Sequence, residues 1–192
     1  MKVDKLRKEN AFITIIRESK NSLYFYLYIK IKLEIMIKFL RENSKIVFAE
    51  IPDEISLTFS ITNCQNRCVG CHSAELRSNI GEELTYETMC DIIEKNRGIS
   101  CVLIMGEGNN RDELIELCKA VKMKYKGIKF GIYSGRNEVE DIYYKTFDYI
   151  KVGSYMKDRG PLNKETTNQR LYYVDCGEIK DITYKFWNRN VL

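Results

Sequence analysis

Histidine is almost absent from this 192-residue sequence, in which His72 is the only one. A catalytic triad needs a histidine base brought from a distant part of the chain, and many metal centres need several imidazole ligands. The sequence therefore argues against both kinds of chemistry.

A strong net charge and a long apolar run are also missing. The formal net charge is only +4, and Lys or Arg residues never occur more than twice in succession, so nucleic-acid binding is not indicated. The longest uninterrupted apolar run, residues 23–29, is seven residues long, whereas a helix needs about 20 residues to span a bilayer. We expect neither a nucleic acid nor a membrane as a partner.

The length of the chain and its cysteines limit the class of protein. At 192 residues it is long enough for one domain with a real core, but short for a complete eight-unit barrel. Seven cysteines without a recognisable secretory leader predict a reducing, cytoplasmic location. Four of them stand in apolar contexts and are predicted to be small buried residues: Cys90, Cys101, Cys118 and Cys176.

The other three cysteines are concentrated in one short stretch, NCQNRCVGCH. Cys64, Cys68 and Cys71 have a C-x3-C-x2-C spacing, and His72 comes directly after them. The preceding residues 55–61, ISLTFSI, are mainly apolar and partly β-branched, which is typical of a buried strand. The cysteines therefore lie on a loop at the carboxyl end of a strand, where α/β folds place their chemistry.

Two kinds of metal site fit this group of cysteines. A structural zinc ion takes four ligands, so His72 would have to join the three cysteines in an awkward local geometry. A cubane iron–sulfur cluster is normally held by four cysteines, so three would leave one iron open to another ligand. The spacing favours the iron–sulfur cluster, and zinc stays open as the alternative.

Strand and helix patterns alternate along the rest of the chain. Strands are predicted at 44–49, 55–61, 99–105, 128–133, 149–152 and 171–174, and helices at 85–95, 111–125 and 139–145. Thr85 is the expected N-cap of the first helix and Gly98 closes it. This alternation is typical of βαβ units, so we predict an α/β fold with a mainly parallel sheet, an open partial (β/α) barrel. Phe186 and Trp187 are expected to pack on this domain.

Residues 1–35 differ in character from the rest of the chain. Residues 29–37 alternate with a period of two, which predicts a strand, with an amphipathic helix at a membrane surface as the alternative. A second methionine, Met36, stands just before the enzyme-like sequence begins. We expect residues 1–35 to be an N-terminal extension and residues 36–192 to form a single domain.

Five motifs succeed one another along the chain: NCQNRCVGCH, MGEG, YSGR, DYIKVG and TTNQRLY. In this order they resemble the anaerobic ribonucleoside-triphosphate reductase activating proteins, which are small radical S-adenosylmethionine (SAM) enzymes. The similarity runs over about residues 36–174, most of the chain. The cysteine motif alone is typical of the radical SAM superfamily, whereas TTNQRLY points to the reductase-activating branch.

The resemblance implies a [4Fe-4S] cluster on Cys64, Cys68 and Cys71, with SAM on the fourth iron. One electron would cleave SAM to methionine and a 5′-deoxyadenosyl radical, which abstracts hydrogen from a glycine Cα of the partner. Such a radical must be kept from water, so the site should lie at an open sheet edge that the partner covers. The implied partners are the glycyl radical subunit of anaerobic ribonucleoside-triphosphate reductase and a low-potential electron donor such as flavodoxin or ferredoxin.

The resemblance also implies contacts to SAM. Gly70, Cys71 and His72 would pass near the adenine, and Ser134 would hydrogen-bond the ribose. The residues themselves leave simpler roles open, because Gly70 could serve only an unusual φ, His72 could be a free loop residue and Ser134 an ordinary turn serine.

Gly106 and Glu107 stand where the superfamily has a Gly-Gly-acid motif that holds the SAM ammonium. The sequence MGEG departs from that motif, because Glu107 replaces the second glycine and Gly108 the acid. Either Glu107 supplies the carboxylate from a shifted position, or that contact is absent. Two interpretations stay open for three later residues, which either contact SAM or the partner or simply belong to a polar loop: Asn168, Gln169 and Arg170.

Other functions stay open beside this one. A different radical SAM enzyme, of the pyruvate formate-lyase activating type or a small-molecule modifier, would share the cysteine motif, although such enzymes tend to be longer. A non-catalytic zinc-binding module is the alternative from another class. A redox dithiol protein fits less well, because no Cys-x-x-Cys opens a helix in a thioredoxin-like order.

A chain that begins at Met36 is expected to fold and to bind iron as well as the full-length chain, because residues 1–35 precede every motif. The measurement compares soluble yield and iron content after anaerobic purification of both forms. An insoluble shortened chain would assign the segment at residues 29–37 to the fold.

Overall fold

The computed structural model describes residues 36–187. The predictions for residues 1–35, including most of the alternating segment, lie outside the described residues. Over residues 36–187 the chain has an α/β fold, with a mixed, largely parallel central sheet that is not closed. No helix in this part of the chain is long and apolar enough to cross a membrane.

Strands and helices alternate through the middle of the described chain, which confirms the predicted alternation. The strands are β1 (Lys38–Leu40), β2 (Ile46–Val47), β3 (Ser56–Ile61), β4 (Glu82–Glu83), β5 (Cys101–Met105), β6 (Lys129–Tyr133), β7 (Tyr149–Val152), β8 (Arg170–Asp175) and β9 (Glu178–Asp181). The α-helices are α1 (Tyr86–Lys95), α2 (Arg111–Lys124) and α3 (Asp141–Thr146). Short 3-10 helices occur at Arg41–Asn43, Ala74–Arg77 and Thr183–Phe186.

Side-chain caps fix where the two longer helices begin. Thr85 Oγ1 accepts a hydrogen bond from the Thr88 N–H at 3.1 Å, which confirms the predicted N-cap of α1, and Asn110 Oδ1 accepts from the Glu113 N–H at 3.4 Å. These bonds satisfy N–H groups that the first helical turn leaves without partners. Gly98 has a φ of +87° in the turn after α1, a conformation that favours glycine.

The order of the strands brings the ends of the central strands to one edge of the sheet. The order is β4-β1-β3-β5-β6-β7-β8-β9, with β2 also paired to β3. Parallel pairs join β3 to β5, β5 to β6 and β6 to β7, and the remaining pairs are antiparallel. Because parallel strands run in one direction, the loops after these four strands leave from the same edge.

The central strands bury both of their faces, as parallel strands usually do. On one face, alternating apolar side chains pack with residues of α1, α2 and α3 in the larger core; Phe59, Ile104 and Ile132 are examples. A smaller cluster on the opposite face contains Cys101, Leu103, Tyr149, Leu171, Ile182 and Phe186, with Trp187 packed against it. The predicted packing of Phe186 and Trp187 is thus confirmed.

Some elements differ from the prediction. The strand β8 is not a further parallel unit but runs antiparallel to β7, because residues 153–169 contain no helix for a parallel crossover. The predicted strand at 44–49 is reduced to β2. Three further strands, β1, β4 and β9, are two to four residues long and too short to give a clear period in the sequence.

The prediction for the isolated cysteines is confirmed at three positions and wrong at one. Cys90, Cys101 and Cys118 are buried, and burial raises the pKa of the Cys101 and Cys118 thiols to about 12. Cys176 is exposed because it lies in the turn between β8 and β9. The apolar residues before it in the sequence belong to β8 and do not cover it.

A buried carboxylate links elements near the amino ends of the central strands. Glu54 is only 7% exposed and accepts hydrogen bonds from Lys129 Nζ at 2.6 Å and from the Tyr149 hydroxyl at 2.7 Å. Burial alone would raise the pKa of Glu54, but these hydrogen bonds outweigh it and hold the pKa below the usual value. The ionised carboxylate therefore stabilises the fold above the pKa of the unfolded chain, and this contribution is lost as the pH falls through the folded pKa.

Replacing Glu54 by Gln is expected to lower the free energy of unfolding at pH 7 by about 1–3 kcal/mol, because Lys129 and Tyr149 lose a charged acceptor. The difference from wild type should narrow as the pH falls through the folded pKa of Glu54, which lies below the usual glutamate value. Urea unfolding at pH 7 and at acidic pH measures the difference. The exposed Glu165→Gln variant is the control, and an equal loss in both variants would contradict the role of Glu54.

Candidate functional site

The three-cysteine motif lies on a loop at the carboxyl end of β3, as predicted. A returning segment fixes the start of this loop through three hydrogen bonds: Thr62 Oγ1 donates to the Ile80 carbonyl at 2.7 Å, the Asn63 N–H to Ser78 at 3.0 Å and the Cys64 N–H to Leu76 at 2.9 Å. We call residues 62–80 the cysteine loop. The hydrogen bonds to residues 76–80 thus fix the conformation at the start of the loop.

The three thiols of this loop are all free and half-buried. Cys64, Cys68 and Cys71 form no disulfide, and the Cys71 N–H donates to the Cys68 carbonyl at 3.3 Å. Burial raises the pKa of the Cys64 thiol, and the negative charges of Cys68, Cys71 and Glu107 raise it further. The negative charges of the other thiols thus act on Cys64, and a cation that bound the three thiols would relieve this repulsion.

A cavity of about 620 Å³ opens beside the cysteine loop. Small-molecule sites typically measure about 300–1,000 Å³, so this one is large enough for a nucleoside-sized ligand. Its walls come from the cysteine loop, from β6 and β7 and from the segments after β7; they include Gly70, Cys71, His72, Tyr133, Lys151, Tyr155, Leu162, Gln169 and Phe186. The cavity thus places part of the cysteine motif against the face of the sheet opposite the helices.

Gly70 takes a left-handed conformation where the cysteine loop meets this cavity. Its φ is +73°, and a Cβ on it would come only to 3.5 Å from the Tyr155 ring, an ordinary contact. The backbone conformation, rather than a lack of space, is therefore what favours glycine here. This confirms the local role expected for Gly70 and leaves a contact to a ligand as a prediction.

Glu107 is held by three side chains in a buried network. Its carboxylate is 5% exposed and accepts hydrogen bonds from the Tyr143 hydroxyl at 2.5 Å, from Ser134 Oγ at 3.0 Å and from Arg136 Nη2 at 3.1 Å. Arg136 also pairs with the exposed Glu140 at 2.8 Å. The network ties the turn after β5 to the turn after β6 and to α3.

The predicted SAM contacts fall into two groups. Gly70, Cys71 and His72 line the cavity, and the His72 side chain is exposed. Gly106, Glu107 and Ser134 lie at the ends of β5 and β6, where Glu107 and Ser134 bond to each other and Gly106 donates to the Tyr133 carbonyl at 3.1 Å. The second group does not line this cavity, although the charge of Glu107 acts on Cys64.

The three candidates in the TTNQRLY segment act mainly on the backbone. Asn168 Nδ2 donates to the Ser154 carbonyl at 2.8 Å and Gln169 Nε2 to the Gly153 carbonyl at 3.1 Å, so they hold the chain just after β7. Arg170 donates to the Thr167 carbonyl at 2.8 Å. Of the three, Gln169 lines the cavity.

Sequence reasoning missed several residues of the site. Lys151 and Tyr133 face the cavity from adjacent strands, and Arg136 holds Glu107. Lys151 carried a usable signal, because a lysine inside the otherwise apolar strand of DYIKVG is rarely buried without a reason. Arg136 carried none, since an arginine in a turn is normally exposed.

The arrangement of the donors bears on which metal group they fit. In the part of the chain that the structure describes, no group of three or more His, Cys, Asp or Glu side chains is arranged to hold a single ion. A cubane asks for something different, because each thiolate binds a different iron atom. The cysteine loop offers three free thiols, the number that the expected cluster needs from the protein.

Comparison with known proteins found no relative of this chain. No family model, curated protein or solved structure matches this chain. Any assignment of function therefore rests on the motifs and on the geometry of the site.

The Glu107 network predicts a difference between two carboxylates that share Arg136. Glu107→Gln is expected to lower the free energy of unfolding by about 1–3 kcal/mol, because a buried charged acceptor is lost, whereas Glu140→Gln should cost less than about 1 kcal/mol at the surface. Urea unfolding of the metal-free protein measures both. Equal losses would show that burial of Glu107 contributes nothing.

Proposed function

We propose that this chain is a radical SAM activase: it holds a [4Fe-4S] cluster on Cys64, Cys68 and Cys71, binds SAM beside it and forms a glycyl radical on anaerobic ribonucleoside-triphosphate reductase. One observation carries the proposal. The ordered three-cysteine loop, at the carboxyl end of a parallel strand, opens onto a cavity of about 620 Å³. The sheet would then be the wall of an open partial (β/α) barrel, with the cavity on its inner face.

The residues around the cavity suit a ligand with polar and apolar parts. Gly70, Cys71 and His72 would pass the adenine, and Gln169 offers a further polar group beside them. The aromatic and apolar side chains of Tyr133, Leu162 and Phe186 would displace water from the ligand. When bound, the cluster would supply the single electron that cleaves SAM into methionine and a 5′-deoxyadenosyl radical.

Glu107 keeps two roles in this proposal. Its carboxylate already accepts hydrogen bonds from Ser134, Arg136 and Tyr143. A SAM ammonium would therefore have to share this carboxylate with three other donors. The proposal therefore needs Glu107 first as an anchor of the turn after β5. A direct contact to SAM would come in addition.

A protein partner fits the surroundings of the cavity. Two apolar side chains are strongly exposed next to residues of its wall: Val69 is 85% exposed beside Gly70, and Phe48 is 69% exposed beside Ala49. Apolar side chains exposed next to a site would lose contact with water if another protein covered it. The reductase subunit would cover the opening and bring its glycine to the radical, and a flavodoxin or ferredoxin in the cytoplasm would supply the electron.

The test begins with anaerobic purification and iron analysis. The wild-type protein is expected to be brown, with a broad band near 400 nm, and to form 5′-deoxyadenosine from SAM after reduction with dithionite. Cys64→Ala, Cys68→Ala and Cys71→Ala should each lose the cluster, whereas alanine at Cys90, Cys101, Cys118 or Cys176 should leave the iron content intact. Cys176→Ala is the matched control, because Cys176 is exposed and its replacement leaves the core unchanged.

Three outcomes would overturn the proposal. A colourless protein with one bound zinc ion would favour the zinc-binding module. A distal cysteine as necessary as the three of the loop would indicate a four-cysteine site with no open iron. A full cluster without any 5′-deoxyadenosine would remove the enzymatic function.

A further inference from the structure

Lys151 is a charged side chain on the inner face of the sheet, next to the cysteine loop. In β7 its neighbours Ile150 and Val152 belong to the core on the helix side, so Lys151 points to the opposite face. There it lines the same cavity as Cys71, and its Nζ lies 5.2 Å from the centre of the Tyr133 ring. The side chain thus enters the cavity beside the predicted cluster ligands.

The ammonium of Lys151 is not paired with a carboxylate in the part of the chain that the structure describes, although Glu50 lines the same cavity and its charge acts on the lysine. Lys129, on the same face of the adjacent strand β6, donates to Glu54 at 2.6 Å, but no hydrogen bond or ion pair holds the ammonium of Lys151 among residues 36–187. The contact with the Tyr133 ring accommodates a cation without neutralising it. A partly buried cation without an ion pair is costly, so an anionic group bound in the cavity would stabilise it.

The charges of the cysteine loop act on Lys151. Burial lowers the pKa of Lys151 to about 8, and Cys68, Glu50 and Cys71 act in the opposite direction by favouring its protonated form. Two of these three groups are thiols of the cysteine loop. The charge of the lysine therefore acts on the sulfur atoms that would bind iron.

We propose that Lys151 is a positioning residue that holds one positive charge beside Cys68 and Cys71 and stabilises the reduced form of the cluster; this inference rests on the proposed function. Reduction brings one electron from a low-potential donor, with no bond made or broken and no proton taken from Lys151. It adds one negative charge to a site that already contains three thiolates. An ammonium on the wall of the same cavity would offset that charge, and nearby charge is a recognised control of cluster potential.

The test measures the midpoint potential of the cluster in the absence of SAM, by redox titration followed by electron paramagnetic resonance. In Lys151→Met the potential is expected to become more negative, so that the ratio of reduced to oxidised cluster at a fixed potential falls about tenfold. Lys151→Arg, which keeps the charge, should stay close to wild type.

Iron content and circular dichroism of each variant separate the possible results. An unchanged potential in a fully loaded Lys151→Met protein overturns the proposal, as does an equal shift in Lys151→Arg, which would indicate rearrangement rather than loss of the charge. If Lys151→Met folds without a cluster, loading of Lys151→Arg supports a need for the charge, and failure of both overturns it. A wild-type protein without a cluster contradicts the proposed function itself, so the two failures are distinguishable.

Discussion

The parallel pairing of β3, β5, β6 and β7 is the constraint on which the rest of this structure depends. It forces the cysteine loop, the MGEG turn and the YSGR turn to leave the sheet at the same edge, although a helix and a strand separate them at each step along the chain. The turns also touch. A Cβ on Gly135 would come within 2.6 Å of Asn66 in the cysteine loop, and one on Gly108 within 3.0 Å of Ile61. These small residues let the turns approach closely.

Two buried carboxylates mark the opposite ends of the central strands, and each is neutralised by a cation. Glu54 pairs with Lys129 near the amino ends, and Glu107 pairs with Arg136 at the carboxyl ends. Both also accept a hydrogen bond from a tyrosine hydroxyl. Lys151 breaks this pattern, since it has no ion pair with a carboxylate and faces a cavity that Glu50 and Cys71 also line. Lys151 therefore lies where a ligand is expected to bind.

Much of this architecture could be predicted from the sequence. The apolar runs that become β3, β5 and β6 and the periodic helices α1 and α2 carry clear patterns, because their burial repeats every two or every 3.6 residues. The position of the cysteine loop could be inferred from the strand before it. The resemblance to reductase-activating proteins pointed to the residues of both turns, but not to what they contact.

The rest depended on contacts between distant residues. The role of Arg136 as a partner of Glu107 requires the turns after β5 and β6 to be adjacent, which no local pattern records. The antiparallel direction of β8 results from the absence of a helix in residues 153–169, and a strand of six residues looks the same in either direction. The predicted burial of Cys176 is wrong because apolar neighbours along the chain do not guarantee burial in the folded protein.

The hydrogen bonds that fix the start of the cysteine loop have a consequence for whether the chain stays folded without a bound metal group. Small zinc domains unfold when their metal is removed, because metal binding supplies much of their folding energy. Here Thr62, Asn63 and Cys64 are tied to residues 76–80 by the chain itself, and the core lies elsewhere, between the sheet and the helices. If the proposed cluster binds there, its oxidative loss would leave a folded chain to which a new cluster can bind.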